Sequence, residues 1–325
     1  MVRGQRSLVV AALMALAVPV VVPGVAAAAY PNPGQVTGSI NVHDPAMVRA
    51  ANGTYLLFST GNNLPIRTSA NRVAFANAGM VWPNGAPWTT QFTGGSANLW
   101  APDISFHNGR YYLYYAASSF GSRNSAIFLA TSPTAAQGSW TNLGIVWQTS
   151  NANDYNAIDP NLVVDSAGRW WLSFGSFWTG IKMIRIDPAT GKQHAGDRTL
   201  YSIARRPSNG GAVEAPFIVE RNGFFYLFVS FDLCCQGASS TYRIMVGRST
   251  AINGPYVDRN GVAMTSGGGT QVLAAHGSIH GPGHQAVLND NGTEFLFYHY
   301  YADNGSARLG INLLGWDSSG WPFVY

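Results

Sequence analysis

The amino-acid sequence predicts an all-β fold, a five-bladed β-propeller in one domain, on three observations. One hairpin pattern recurs five times: a turn containing Pro, a short apolar strand, an Asn/Asp/Gly turn and an aromatic strand. The turn glycines of the five copies are Gly53, Gly109, Gly168, Gly223 and Gly292, at intervals of 56, 59, 55 and 69 residues, which leave room for about four strands per copy. Helical periodicity is nearly absent along the chain. A β-sandwich would not need five equivalent hairpins, and a β-helix repeat would be far shorter.

Residues 1–29 stand apart from the repeats. Arg3 and Arg6 make a basic start, an apolar run extends from Leu8 to about Val22, and Ala26-Ala27-Ala28 supplies small residues for cleavage. That order is a secretory signal peptide. The uninterrupted apolar run is short of the ~20 residues a membrane span needs. No other segment could span a membrane, so the expectation is a secreted chain whose residues 30–325 form the propeller. No linker or low-complexity stretch divides residues 35–325.

The first hairpin runs from Asp44-Pro45 through Asn52-Gly53 to Tyr55–Phe58, and the second from Ala101-Pro102 through Asn108-Gly109 to Tyr111–Tyr115. The third joins Asp159-Pro160 to Trp170–Phe174 through Gly168, and the fourth joins Glu214-Ala215-Pro216 to Phe224–Val229 through Asn222-Gly223. The fifth begins at Gly281-Pro282, turns at Asn291-Gly292 and ends in Phe295–Tyr298. β-Branched and aromatic runs on either side of such turns specify hairpins. Third strands follow at Ile127–Ala130, Met183–Ile186 and Ile244–Gly247.

Composition narrows the function. The 325 residues are 46% hydrophobic, 13% aromatic and 10% charged, far too apolar for a disordered chain. The formal charge of +4 falls to +2 without Arg3 and Arg6, and lysine occurs only twice, so a nucleic-acid partner is not expected. A nearly neutral, aromatic-rich surface suits an uncharged ligand.

In a propeller the first strand of each blade lines the central channel, so the residue opening that strand is presented at one end of the axis. The five openings are assigned to Asp44, Asp103, Asp159, Glu214 and His284. The chain has only three glutamates and twelve aspartates, so four acids at such positions is a heavy concentration. Clustered carboxylates raise one another's pKa, which acid–base chemistry uses. Asp before Pro also opens turns, and for Asp103, which follows a proline, that reading stands level with the functional one. Trp100, Phe120, Phe177 and Trp178 flank the openings and could stack on sugar faces, although each alone reads equally as inter-blade packing. His43, Asn156 and Ser176 are polar neighbours of the same openings. Aromatics above paired carboxylates in a secreted protein fit glycoside hydrolysis.

These stretches make the family recognisable. His43-Asp44-Pro45, Trp100-Ala101-Pro102-Asp103, Asn156-Ala157-Ile158-Asp159-Pro160, Gly175-Ser176-Phe177, Val213-Glu214-Ala215-Pro216, Phe231-Asp232-Leu233-Cys234-Cys235 and Gly281-Pro282-Gly283-His284 occur in order across the chain. As an ordered set they resemble the family 43 glycoside hydrolases, and within them the endo-α-1,5-L-arabinanases. The resemblance implies a five-bladed propeller that cleaves internal links of arabinan and arabino-oligosaccharides with inversion. It implies Asp44 as general base, Glu214 as general acid and Asp159 as the third carboxylate that orients the acid. It places sugar contacts among His43, Trp100, Asp103, Asn156, Ser176 and Phe177. An inverting pair stands ~6.5–9.5 Å apart to admit a water. The resemblance further implies a calcium or similar ion in the channel with His284 as its protein ligand; the alternative is a hydrogen-bonded channel histidine. A monomer is expected.

The only two cysteines, Cys234 and Cys235, are adjacent. An even count in an exported chain suggests a disulfide, but consecutive Cα atoms lie ~3.8 Å apart, below the usual range for a bridge. A vicinal disulfide and two free thiols both remain open. Two other functions compete with an endo-acting enzyme. An exo-acting arabinofuranosidase or xylosidase would need a pocket closed at one end, and a non-catalytic carbohydrate-binding propeller would be expected to lack a carboxylate.

Overall fold

The computed structural model describes residues 1–2 and 30–325, so nearly all of the expected signal segment lies outside the described residues. The rest forms five antiparallel sheets in chain order, each one a blade. Blade one comprises Ala46–Arg49, Tyr55–Phe58, Pro65–Ser69 and Ala74–Met80; blade two comprises Asn98–His107, Arg110–Ala117, Ser125–Ser132 and Thr141–Thr149. Blade three has Asn161–Val164, Trp170–Phe174 and Ile181–Asp187, with the outer position shared by Lys192–Gln193 and Tyr201–Ala204. Blade four is Val213–Arg221, Phe224–Phe231, Arg243–Ser249 and Thr270–Leu273, and blade five His280–Asp290, Thr293–Tyr301, Ala307–Trp316 and Pro322–Val324.

Turn chemistry explains the hairpins. All five repeat glycines have φ between +74° and +88°, a region that costs other residues strain. In Asn108-Gly109, Asn222-Gly223 and Asn291-Gly292 both residues have positive φ, as the tight turn matching strand twist requires. The second strand of each blade reads as a continuous apolar run because both of its faces are covered. Adjacent residues there point into different cores: Leu57 and Phe58, Tyr114 and Tyr115, Trp170 and Trp171, Phe228 and Val229, Phe297 and Tyr298. The five cores are the five spaces between neighbouring blades, and a two-residue period serves two of them at once.

The ring closes at the N-terminal side of blade one. The Gly34 N–H donates to the Ile311 carbonyl (2.8 Å), and the Leu309 N–H donates to that of Ile40 (3.0 Å). Thr37–Gly38 then runs parallel to the outer strand of blade one. The N-terminal segment thereby ties blade five to blade one, and the first strands converge on the channel.

Candidate active site

A left-handed residue lies at or near the start of the first strand of every blade, the position called its opening. These residues are Asp44, Ala101, Asp159, Ala215 and His284, with φ of +49°, +47°, +56°, +55° and +49°. This corrects the equivalence expected from sequence: Asp44, Asp159 and His284 share one rank, but Asp103 and Glu214 do not. Glu214 lies one residue earlier, level with His43 and Trp100, and Asp103 lies two residues later. The reason lies in the chain order: in four blades the left-handed residue stands directly before a proline (Pro45, Pro102, Pro160 and Pro216), so Ala215 and Ala101, not Glu214 and Asp103, are the counterparts of Asp44.

A side chain from the preceding blade caps four of the five opening N–H groups. Ala101 N–H donates to Thr60 Oγ1 (2.8 Å), Ala215 N–H to Asp159 Oδ2 (3.0 Å) and His284 N–H to Ser230 Oγ (2.8 Å). Asp44 N–H donates to His299 Nδ1 (3.1 Å), across the closure of the ring. The strained openings are therefore held by neighbours distant in sequence.

Three carboxylates meet different surroundings here. Asp44 is buried, which opposes its charge, yet His284 and His43 hold its carboxyl well below the usual carboxylate range. His284 Nδ1 lies 3.1 Å from Asp44 Oδ1, His43 Nδ1 lies 2.9 Å from Oδ2, and Thr60 Oγ1 donates to Oδ2 at 2.5 Å. Burial first, and the Asp159 charge second, push Glu214 up to about 8, against the opposing effect of the Ser176 hydroxyl. The Tyr242 hydroxyl donates to Glu214 Oε1. Asp159 is raised to about 6, mainly by burial, with the charge of Asp44 adding to it. Burial works against a charge on His284, but Asp44, Asp159 and Glu214 raise it to about 9. Burial and the neighbouring His43 push His299 down to about 3, so that its Nδ1 is free to accept the Asp44 N–H.

The remaining candidates divide. His43 Nε2 lies 2.7 Å from Tyr301 Oη, while Nδ1 lies 2.9 Å from Asp44 Oδ2 without a hydrogen bond, and the side chain is 25% exposed. Asn156 is buried and accepts from Ser125 Oγ (2.6 Å). Ser176 is buried beside Glu214. Trp100 and Phe177 are half-buried, while Phe120 and Trp178 are exposed. Asp103 is turned to its neighbour: Oδ1 accepts from Asn161 Nδ2 (3.1 Å) and Oδ2 from the Leu162 N–H (2.8 Å), both in blade three. Asn161 Oδ1 in turn accepts the Ile218 N–H (2.9 Å), so Asp103 starts a tie from blade two to blade four. Cys234 and Cys235 are bridged, which resolves the alternative left by the sequence.

His284 belongs to no cluster of three protein ligand atoms among the described residues. Asp44 faces its Nδ1, which leaves Nε2 as the ring donor. Four buried acids, Asp44, Asp103, Asp159 and Glu214, act on this half-buried imidazole, an electrostatic setting that favours a cation. Imidazole is an unusual ligand for a hard cation, so such an ion would be held largely by water, and binding would displace the ring proton.

Sequence reading missed Thr60, Tyr242, His299 and Tyr301. His299 had a signal, a lone imidazole in the otherwise aromatic Phe297-Tyr298-His299-Tyr300 run. The others look like ordinary strand-end residues.

Residues 34–322 match the family model described as glycosyl hydrolases family 43. The chain is 44% identical over 288 residues to the extracellular endo-α-(1→5)-L-arabinanase 1 of Bacillus subtilis (strain 168), spanning 86% of this chain and 87% of that protein. It is similar to the solved GH43 endo-arabinanase from Bacillus licheniformis, with TM-score 0.84 and 46% identity over 89% of this chain and 99% of that one. It is also similar to the solved exo-1,5-α-L-arabinanase from a bovine ruminal metagenomic library, with TM-score 0.84 and 38% identity over 90% of this chain and 99% of that one.

Proposed function

Because the chain belongs to glycosyl hydrolases family 43, we propose that it is an inverting endo-1,5-α-L-arabinanase, with Asp44 as general base, Glu214 as general acid and Asp159 as the carboxylate that tunes the acid. One observation carries the assignment: neighbouring carboxyl groups are driven to opposite protonation states. Asp44 is held ionised by two histidines, whereas Glu214, raised to about 8, keeps its proton at neutral pH. Those are the states that a base and an acid need before the reaction starts.

Glu214 gives its proton to the glycosidic oxygen as the bond to the anomeric carbon breaks. Asp44 takes a proton from the water that attacks the opposite face of that carbon, and the new C–O bond has inverted configuration. Asp44 ends protonated and Glu214 ionised, and exchange with solvent resets both. Asp159 keeps the Glu214 proton on through its charge and fixes the backbone beside it by accepting the Ala215 N–H.

Trp100 and Phe177 supply faces for arabinofuranose rings, and His43, Asn156 and Ser176 supply polar contacts. Asp103 lies among them with each oxygen also accepting from blade three, so it orders the site while facing it. His284 would hold a calcium ion through one ring nitrogen, and the ion would add positive charge that favours an ionised base. Arabinan and arabino-oligosaccharides are the substrates, and the enzyme acts as a monomer. Secretion is supported by the signal-like residues 1–29 and by a relative named as extracellular. An exo mode is the second reading, favoured by the similarity to an exo-acting structure.

Initial products from debranched arabinan, resolved by size and by anomeric configuration, test the assignment. Oligosaccharides of inverted configuration are expected, and monomer alone would indicate the exo mode. Asp44→Ala and Glu214→Ala should each lose most activity with the fold intact, and azide should yield no retained glycosyl azide with either. A product of retained configuration overturns the inverting mechanism.

A further inference from the structure

Tyr301 ends the second strand of blade five, and its phenolic oxygen joins two parts of the molecule. The backbone N–H of Cys235 donates to it at 2.9 Å, and His43 Nε2 lies 2.7 Å away. The oxygen accepts from Cys235, and its own O–H is within reach of His43 Nε2, the partner that the proposal below assigns to it. With that O–H on Nε2, the hydrogen sits on the other ring nitrogen, Nδ1, which lies 2.9 Å from Asp44 Oδ2 but outside hydrogen-bond geometry. The ring cannot leave this plane easily, because it stacks on His299 with centroids 3.9 Å apart and planes 22° apart. His299 is the same residue that receives the Asp44 N–H. Cys235 has φ of +68°, and its bridge to Cys234 fixes the turn that presents this N–H, with Cys235 Sγ 3.8 Å from His43 Nε2.

From this chain of contacts we propose that Tyr301, held in place by the Cys234–Cys235 loop, is a positioning residue that sets His43 against the Asp44 carboxylate. The proposal rests on the reading of Asp44 as general base. Tyr301 touches neither the base nor the reacting atoms; it acts by fixing which His43 nitrogen faces Asp44 and from what direction. The disulfide contributes by constraining the loop, so its redox state is coupled to catalysis. A dithiol reductant would donate two electrons to the S–S bond, giving two cysteine thiols and its own cyclic disulfide, and would release that constraint.

Four perturbations on the full mature chain test it, with saturation kinetics on linear arabino-oligosaccharides as the readout. Tyr301→Phe keeps the ring and removes the oxygen; kcat should fall by about 10- to 100-fold, the scale of a small misplacement of a catalytic group, with KM changed less than about twofold. Cys234→Ser/Cys235→Ser, and wild type treated with dithiothreitol, should each lower kcat in the same sense. The combined Tyr301→Phe/Cys234→Ser/Cys235→Ser variant should be no slower than Tyr301→Phe alone, because the loop acts through the phenol. Circular dichroism and melting temperature verify folding, and dithiothreitol on wild type covers the case in which a variant fails to fold. Unchanged kcat in Tyr301→Phe, additive losses in the combined variant, or a reduced wild type with full activity each overturn the proposal. Asp44→Ala is run alongside: if it keeps substantial activity, the assignment of the base has failed, not the role of Tyr301.

Discussion

Replacing Asp159 by Asn tests how the acid keeps its proton. Asn is nearly isosteric, and its carbonyl oxygen can still accept the Ala215 N–H that Asp159 receives at 3.0 Å. What disappears is a negative charge, the second cause after burial of the rise of Glu214 from 4.5 to about 8. Asp159 itself titrates near 6, so the charge is present at neutral pH in the wild type. Removing one nearby like charge should lower the Glu214 pKa by roughly one to two pH units, with each unit worth about 1.4 kcal/mol. As the proposed general acid Glu214 works protonated, so activity should be lost as pH rises through its pKa, and the whole alkaline limb should move to lower pH. At pH 7 the protonated fraction would drop from roughly 90% to roughly half for one unit, and to roughly a tenth for two. The assay is the initial rate on debranched arabinan at saturating substrate, from pH 5 to pH 9, for both enzymes. The variant should lose more at pH 8 than at pH 6. An alkaline limb that stays in place, or moves upward, would refute the argument that Asp159 holds the proton on Glu214.

Two other expectations concern the rest of the site. Trp100→Ala should raise KM roughly tenfold if the half-buried ring stacks on a sugar; a lowered melting temperature with unchanged KM would show that the ring only packs. Chelation should reduce activity and melting temperature together, calcium should restore both, and His284→Ala should behave like the chelated enzyme, since an ion bound only to the native state stabilises it. Full activity and stability after verified metal removal would leave His284 as a hydrogen-bonded partner of Asp44.

The hairpins, their number and the positions of Asp44, Asp159 and His284 were legible in the sequence, because each rests on local chemistry. Asn-Gly turns need positive φ wherever they occur, as at Asn108-Gly109, and a strand covered on both faces must be apolar at consecutive residues, as at Leu57 and Phe58. The sequence by itself thus determined a ring of five sheets with acids at its channel mouth. Register within that mouth was another matter. Glu214 looked equivalent to Asp44 but sits one position earlier, because the left-handed residue stands directly before the proline and in blade four that residue is Ala215. Asp103 also ties blade two to blade three, a role visible only once Asn161 and Leu162 are beside it. The partners that set the charge states were also hidden. His299 lies 255 residues from Asp44 in the chain, and Tyr301 lies 258 from His43. Those pairs exist because the ring closes blade five onto blade one. Local propensity could specify each blade, but only closure of the ring could decide which histidine faces the base and which carboxyl keeps its proton.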